Sequence, residues 1–164
     1  MGILTEDMKR VVNEQRLGFV ATVCPDGTPN LSPKGTTYVL DDDHLFFADI
    51  RSPQTLANIR HGSIVELNVV DPFVRKGYRF KGVATVLTEG ALFERMLDFY
   101  RVERNLDESR IKIRSFVLVK IDEAMPLVSP AYDQGLTEEQ VREKMQHYFD
   151  SLQRKNSTTR GEET

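Results

Sequence analysis

Short β-rich runs joined by tight turns constrain the fold more than any other feature of this sequence. Residues 17–34 contain the turn Pro25-Asp26-Gly27, in which proline presets φ and glycine accepts a positive φ. Residues 36–49 contain a second turn, made of three aspartates. Segments joined by such turns pair as antiparallel hairpins. The sequence therefore predicts an antiparallel sheet that begins with two hairpins.

Three later runs complete the predicted set of strands. They cover residues 64–70, 78–87 and 111–122, and each is rich in β-branched or aromatic side chains. Gly82 interrupts the middle run, which predicts a β-bulge or a close approach of another backbone there. No glycine-rich strand–turn–helix fingerprint occurs, which disfavours a Rossmann fold. The six or seven strands predict a mainly β protein, a small antiparallel barrel with peripheral helices.

Four helices are predicted around these strands, and each follows a residue that can cap a helix N-terminus. These residues are Thr5, Ser52, Thr88 and Thr137. Pro53 stands at the first position of the second helix, where its missing N–H has no cost. Thr137 and Gln140 form a capping box at the start of the last helix. This last helix follows a linker that contains proline and glycine.

The chain divides into three predicted parts. Residues 1–130 form the barrel domain, and residues 131–153 form the linker and the last helix. Residues 154–164 have no apolar side chains, so we expect a disordered tail. The helix carries an apolar stripe of Val141, Met145, Tyr148, Phe149 and Leu152. Such a stripe packs either on the barrel of its own chain or on a partner subunit, and the sequence leaves both open.

Charge and composition exclude several classes of function. The formal net charge is -3, which argues against nucleic acid as a partner, although a local basic patch at residues 75–81 stays open. Cys24 is the only cysteine, so no internal disulfide forms, as suits a reducing cytoplasm. The N-terminus lacks the apolar core of a signal peptide, and no apolar run is long enough to cross a membrane. We therefore expect a cytoplasmic protein without a membrane partner.

No arrangement of side chains predicts a metal site or a catalytic residue. The histidines at positions 44, 61 and 147 are scattered, and the aspartates at 41–43 lack the spacing of a calcium loop. No nucleophile–base pair and no pair of carboxylates emerges. If the protein is an enzyme, a bound cofactor should carry the chemistry, and the protein should bind and orient it.

The start of the second helix combines several groups that bind anions. A helix N-terminus presents unpaired N–H groups and the positive end of a dipole. Ser52 and Thr55 add hydroxyl donors, and Arg51 can clamp phosphate oxygens through two parallel hydrogen bonds. On its own, this stretch is more typical of a capped helix with an exposed arginine. Lys34 favours an anion site, because the intervening hairpin should bring it beside the strand that precedes the helix.

Two strands carry further candidate contacts. Residues 32–34 should form an irregular edge segment, whose uncommitted backbone groups suit the edge of a planar heterocycle. Arg79 and Lys81 alternate with Tyr78 and Phe80, so the two cations share one face of their strand. That face is either solvated or contacts a ligand, including one held by a neighbouring subunit.

Three motifs follow one another along the chain: LGFVATVCPDGTPNLSPKG, HLFFADIRSPQTLANIRHG and YRFKGVATVLTEG. Together they resemble the pyridoxamine 5'-phosphate oxidase-like flavin-binding split-barrel superfamily, and the resemblance covers roughly residues 5–122. It implies a six-stranded antiparallel split barrel of Greek-key type. It also implies a homodimer that binds FMN in clefts between its two subunits.

Carried over by position, the resemblance implies cofactor-binding roles for four groups of residues. The flavin ring and ribityl chain would be lined by Ser32, Pro33, Lys34 and Gly35. The strand end beneath the cofactor would consist of Phe47, Ala48 and Asp49. The phosphate would be held by Arg51, Ser52 and Thr55, and Arg79 would face the flavin.

The sequence departs from true pyridoxamine phosphate oxidases in two places. Those enzymes have a basic Arg-Lys pair where this chain has Pro53-Gln54, and they carry a C-terminal segment rich in Arg and His that is missing here. The resemblance therefore implies a different small FMN-dependent oxidoreductase, with a nicotinamide or another small molecule as electron donor. A non-catalytic flavin or electron carrier, an F420-dependent reductase and an interaction module with an empty barrel stay open. Haem is disfavoured, because no histidine is a persuasive ligand.

Overall fold

The two predicted hairpins form the two opposite edges of one curled antiparallel sheet. The computed structural model describes residues 2–104 and 112–161, with backbone only for 155–161. Within these residues the strands are β1 (Gly18–Val23), β2 (Pro29–Lys34), β3 (Tyr38–Val39), β4 (His44–Asp49), β5 (Ile64–Asp71), β6 (Lys76–Leu87) and β7 (Ser115–Val128). The helices are α1 (Glu6–Gln15), α2 (Pro53–Arg60), α3 (Ala91–Glu103) and α4 (Glu138–Gly161). The strand order is β2-β1-β5-β6-β7-β4-β3.

The mainly β fold with peripheral helices is confirmed, with seven strands rather than six. The additional strand is β3, which contributes only two residues at the sheet edge. At the other edge, β2 pairs with β1 in unbroken register from Gly18 with Lys34 to Val23 with Pro29. The prediction of an edge strand is therefore confirmed, whereas the prediction that it is irregular is wrong. Both prolines of β2 are tolerated because a neighbouring strand is present on one side only.

The two faces of the sheet have separate cores. The inner face is buried with α1 and α2, and its cluster includes Val12, Val20, Phe47, Leu67, Phe80 and Val117. The outer face of the β7-β4-β3 end is covered by α3, in an aromatic cluster of Tyr38, Phe46, Phe93, Tyr100 and Phe116. The Tyr100 hydroxyl donates to the carbonyl of Thr36 and accepts from the N–H of Ala48. Burial raises the pKa of this phenol well above its ordinary value, so it remains a neutral structural link between α3 and the sheet edge.

The outer face of the β2-β1-β5-β6 end is bare among the described residues. Its exposed apolar side chains are Phe19, Val23, Leu31, Ile64, Val70 and Val83. Leu31 is 66% exposed and Val83 is 57% exposed. We call this surface the bare outer face. Exposed apolar side chains grouped on one face of a sheet mark an interaction surface.

Element boundaries differ from expectation at three places. The third helix begins at Ala91 behind Gly90 and not behind Thr88, because the residue before the helix adopts φ 98°, which favours glycine over threonine. The last strand begins at Ser115 and continues to Val128 past a register shift at Asp122, and residue 111 lies outside the described residues. The backbone of α4 stays helical to Gly161, beyond the predicted end at 153, while residues 162–164 of the expected tail lie outside the described residues.

Candidate functional site

Lys34 contacts the start of α2 even though β2 and β4 do not pair and lie towards opposite edges of the sheet. Its Nζ donates hydrogen bonds to Ser32 Oγ and to Ser52 Oγ, each at 2.5 Å. The whole residue is only 4% exposed, and its Nζ lies 5.8 Å from the centre of the Phe47 ring. The end of β2 and the start of α2 are thus joined through one buried ammonium group.

The charge of Lys34 is balanced only weakly within the described residues. It forms no ion pair there, and both of its hydrogen-bond partners are neutral hydroxyls. Burial lowers the pKa of Lys34, and the negative charge of Asp49 acts in the opposite direction. A buried cation without a carboxylate in contact is costly unless a ligand anion accompanies it. This environment therefore fits an anionic group bound nearby.

The first turn of α2 is capped by Asp49 and not by the predicted cap, Ser52. Ser52 occupies the N-cap position, but its side chain makes no capping bond. Instead, Asp49 Oδ1 accepts the Ser52 N–H at 3.1 Å, and Asp49 Oδ2 accepts from Ser115 Oγ at 3.3 Å. Because Lys34 donates to Ser52 Oγ, the Ser52 hydroxyl keeps its own proton for an acceptor outside the helix.

A polar network lies beneath α2, and sequence reasoning found only one of its members. Thr55 is 1% exposed, and its hydroxyl accepts from Asn30 Nδ2 at 3.3 Å. Asn58 donates to Thr22 Oγ1 at 2.9 Å, and Gln54 donates to Asn58 Oδ1 at 2.8 Å. Because the Thr55 side chain is buried within this network, its main contribution is to fix α2 against β1 and β2. Asn30 and Asn58 give no periodic signal, since both are polar residues among apolar neighbours.

A cleft of about 740 Å³ opens at the start of α2. Its lining includes Asp49, Ile50, Arg51, Ser52, Pro53, Leu56, Arg60, Thr88, Lys112, Arg114 and Ser115. We call it the basic cleft, because four of these side chains are cations. Sequence reasoning identified Arg51 but missed the other three. Lys112 and Arg114 alternate just before β7, yet only the pairing of β7 with β4 shows that they face α2.

The remaining predicted site residues are divided between the two faces of the sheet. Phe47 and Asp49 lie on the inner face, whereas Ala48 lies on the outer face beneath α3. Pro33 and Gly35 are exposed at the end of β2. The Gly35 carbonyl accepts a hydrogen bond from Arg104 at 2.5 Å.

Within one chain, Arg79 lies apart from Lys34 and its partners Ser32 and Ser52. It pairs across the sheet with Asn68, which pairs with Phe19, so its side chain lies on the bare outer face. There Arg79 Nε lies 3.6 Å from Glu66 Oε1, and the guanidinium contacts Met125 Sδ at 3.9 Å. Lys81 is exposed on the same face. Arg79 and Lys34 therefore lie on opposite faces of the sheet.

Neither a cluster of metal ligands nor a membrane-spanning helix occurs within the described residues. No group of three His, Cys, Asp or Glu side chains is placed to hold a metal ion there. In the same part of the chain, none of the helices combines the length and the apolar character needed to cross a membrane.

A curled split-barrel sheet with a cation-rich helix start defines a class of ligand-binding proteins, and sequence comparison identifies the family. Residues 4–125 match the family described as pyridoxamine 5'-phosphate oxidase. This chain therefore belongs to the pyridoxamine 5'-phosphate oxidase-like split-barrel family. No curated protein is significantly similar in sequence.

Several solved structures share the fold. HupZ from Group A Streptococcus is 30% identical with a TM-score of 0.66, over 77% of this chain and 95% of that chain. An FMN-binding protein from Syntrophomonas wolfei is 18% identical with a TM-score of 0.65, over 76% of this chain and 86% of its own. A protein described as F420 reductase is 22% identical with a TM-score of 0.53, over 74% of this chain and 98% of its own. The last two likenesses concern the fold alone.

Proposed function

We propose that this protein binds FMN and is a small flavin-dependent oxidoreductase of its family, distinct from true pyridoxamine phosphate oxidases. The observation that carries the proposal is the buried ammonium of Lys34, hydrogen-bonded to Ser52 at the start of α2. This cation lacks a carboxylate partner among the described residues, so a phosphate fits beside it. Membership of the family supports FMN as the phosphate-bearing ligand.

The chain's own residues divide the work of holding the cofactor. Arg51 and the Ser52 hydroxyl face the basic cleft and would bind the phosphate, while Lys34 supplies positive charge from behind Ser52. Ser32, Pro33 and Gly35 at the end of β2 would line the ring and ribityl chain. Asp49 keeps the first turn of α2 in place. Bound FMN supplies hydride and electron transfer, which no side chain of the site provides.

Two alternatives share this site. A non-catalytic flavin or electron carrier would hold FMN without a dedicated substrate, and an F420-dependent reductase would place another phosphate in the same position. The mass of the released cofactor distinguishes F420 from FMN. Reduction of the bound flavin by NADH or NADPH at a useful rate favours a reductase over a carrier.

The single cysteine, Cys24, which is free, supports a cytoplasmic location.

Replacing Arg51 with alanine is expected to lower FMN affinity by roughly tenfold or more, because a charge-assisted hydrogen bond contributes about 1.5–3 kcal/mol. The protein is purified without added cofactor, its visible spectrum and bound mass are recorded, and FMN is then titrated into the stripped protein. Arg95→Ala serves as a control, because Arg95 is exposed on α3, outside the basic cleft. Equal affinities in Arg51→Ala and wild type would refute the phosphate assignment.

The bare outer face supports a homodimer that completes the flavin site. It carries exposed apolar side chains and also Arg79, which lies on the opposite face from Lys34. A partner that covers this face would bring its own Arg79 to the interface between the subunits. The same arrangement removes the exposed apolar surface from water.

Light scattering is expected to give a mass about twice the 18.8 kDa of one chain. Leu31→Glu is expected to convert the dimer to monomer, because it places a charge within the apolar interface. Val102→Glu, at a side chain 79% exposed on α3, is the matched control and should remain dimeric. A monomeric wild-type protein would contradict both the dimer and the role of Arg79.

A further inference from the structure

The basic cleft holds more positive charge than one cofactor phosphate requires. Arg51, Arg60, Lys112 and Arg114 line it together with a single carboxylate, that of Asp49. Asp49 is already engaged by the Ser52 N–H and the Ser115 hydroxyl. The whole chain nevertheless carries a formal net charge of -3. Cations are thus concentrated at this cleft against the overall charge of the protein.

None of the four cations forms an ion pair with another described residue. Elsewhere in the same part of the chain, Lys9 pairs with Asp42 and Lys76 pairs with Glu138. The four side chains come from two separate segments, α2 with its lead-in and the residues before β7. Like charges brought together in this way repel one another unless an anion lies between them.

The spacing of the cations exceeds the size of a single phosphate. Arg51 precedes α2 and Arg60 ends it. A helix of eight residues is about 12 Å long, so the two backbones stand at opposite ends of the cleft wall. A phosphate held at the α2 start by Arg51 and Ser52 leaves Arg60, Lys112 and Arg114 available. The volume of about 740 Å³ falls in the range of small-molecule sites.

We propose that the basic cleft binds a second ligand beside the flavin phosphate, a small molecule that carries two or more negative groups. These groups are phosphates or carboxylates, which arginine recognises in the same forked geometry. The electron donor or substrate of the enzyme is therefore a polyanion. This inference rests on the proposed function for the identity of the neighbouring cofactor. The four cations line the cleft whether or not the neighbouring cofactor is FMN.

Pyrophosphate is the probe of this site. It is titrated calorimetrically into FMN-loaded protein, and we expect it to bind without displacing FMN. The variant Arg60→Gln/Arg114→Gln is expected to bind pyrophosphate at least about tenfold more weakly. Its FMN affinity should fall by less than its pyrophosphate affinity, since Arg60 stands at the opposite end of α2 from Ser52.

Arg95→Gln/Lys120→Gln is the matched control, because it removes the same charge from exposed positions outside the cleft. Unchanged pyrophosphate affinity in the cleft variant overturns the inference, as does one-for-one competition between pyrophosphate and FMN. If the protein takes up no flavin, the same titration is made on the protein as purified. Pyrophosphate binding that requires Arg60 and Arg114 then supports the polyanion site while the flavin proposal fails.

Discussion

Replacing Gly82 with alanine is expected to destabilise the protein by about 3 kcal/mol, which is a large fraction of the roughly 5–15 kcal/mol that keeps a domain folded. A Cβ at this position would lie 1.9 Å from the carbonyl oxygen of Lys120 and 3.1 Å from the Cα of Ile121. Both are backbone atoms of β7, so no side-chain rotation relieves the clash. The register between β6 and β7 shifts at this point, between Lys81 and Gly82.

The measurement is urea unfolding followed by circular dichroism, with wild type and variant compared at the same protein concentration. Gly35→Ala is the control, because the same methyl group meets nothing within 4 Å there and the glycine does not adopt a positive φ. The control should unfold within about 1 kcal/mol of wild type. If Gly82→Ala were as stable as Gly35→Ala, the close approach at the bulge would be wrong.

Replacing Lys34 with methionine is expected to have opposite effects on binding and on stability. FMN affinity should fall roughly ten- to hundredfold, because the charged hydrogen bond that organises Ser52 is lost. The protein without flavin should be no less stable than wild type, since methionine fills the space without burying a charge. FMN titration and urea unfolding of the stripped protein measure the two effects separately.

The pH dependence of stability distinguishes the contribution of Lys34 to the free energy of unfolding from other effects of the substitution. The pKa of Lys34 is lowered from its ordinary value of 10.5 by burial, so the unfolded chain binds more protons than the folded chain between the two pKa values. The free energy of unfolding attributable to Lys34 therefore rises with pH across that window and levels off above 10.5. The stability difference between wild type and Lys34→Met should shift in favour of wild type as the solution becomes alkaline.

A loss of stability in Lys34→Met at neutral pH, with FMN affinity unchanged, would show that the lysine serves the fold alone. Ser32→Ala gives a further comparison. It removes one hydroxyl partner of Lys34 but leaves the bond to Ser52 in place. Its effect on FMN affinity should therefore be smaller than that of Lys34→Met.

Local signals predicted most of the fold, because turns and caps depend on neighbouring residues. The turn at Pro25-Asp26-Gly27 and the capping box of Thr137 and Gln140 are both confirmed. Local signals failed where tertiary contacts decide the outcome. Ser52 has the right chemistry for a capping side chain, but Lys34 engages its hydroxyl and Asp49 takes over the first turn. No local sequence pattern indicates that Lys34 engages the Ser52 hydroxyl while Asp49 accepts the Ser52 N–H.

The candidate site was predicted in part for the same reason. Arg51, Ser52 and Lys34 lie within one stretch of the sequence. The hairpin between Lys34 and Arg51 was the basis for predicting that they lie together. Arg60 and Arg114 become neighbours only because β4 pairs with β7, a contact across more than sixty residues. The side chain of Arg79 has the expected alternation, but its distance from Lys34 depends on the order of four strands. Sequence order therefore predicted the contact between Lys34 and Ser52, and it missed Arg60, Lys112 and Arg114.

The pairing of β4 with β7 gives the two walls of the basic cleft separate origins in the chain. One wall comes from α2 and its lead-in, and the other comes from the residues just before β7. Substitutions at Lys112 or Arg114 would therefore change the charge of the cleft without changing the sequence of α2. If the start of α2 holds the proposed cofactor, relatives can vary the second wall and keep the first. Divergence among relatives should concentrate in that segment and spare the start of α2.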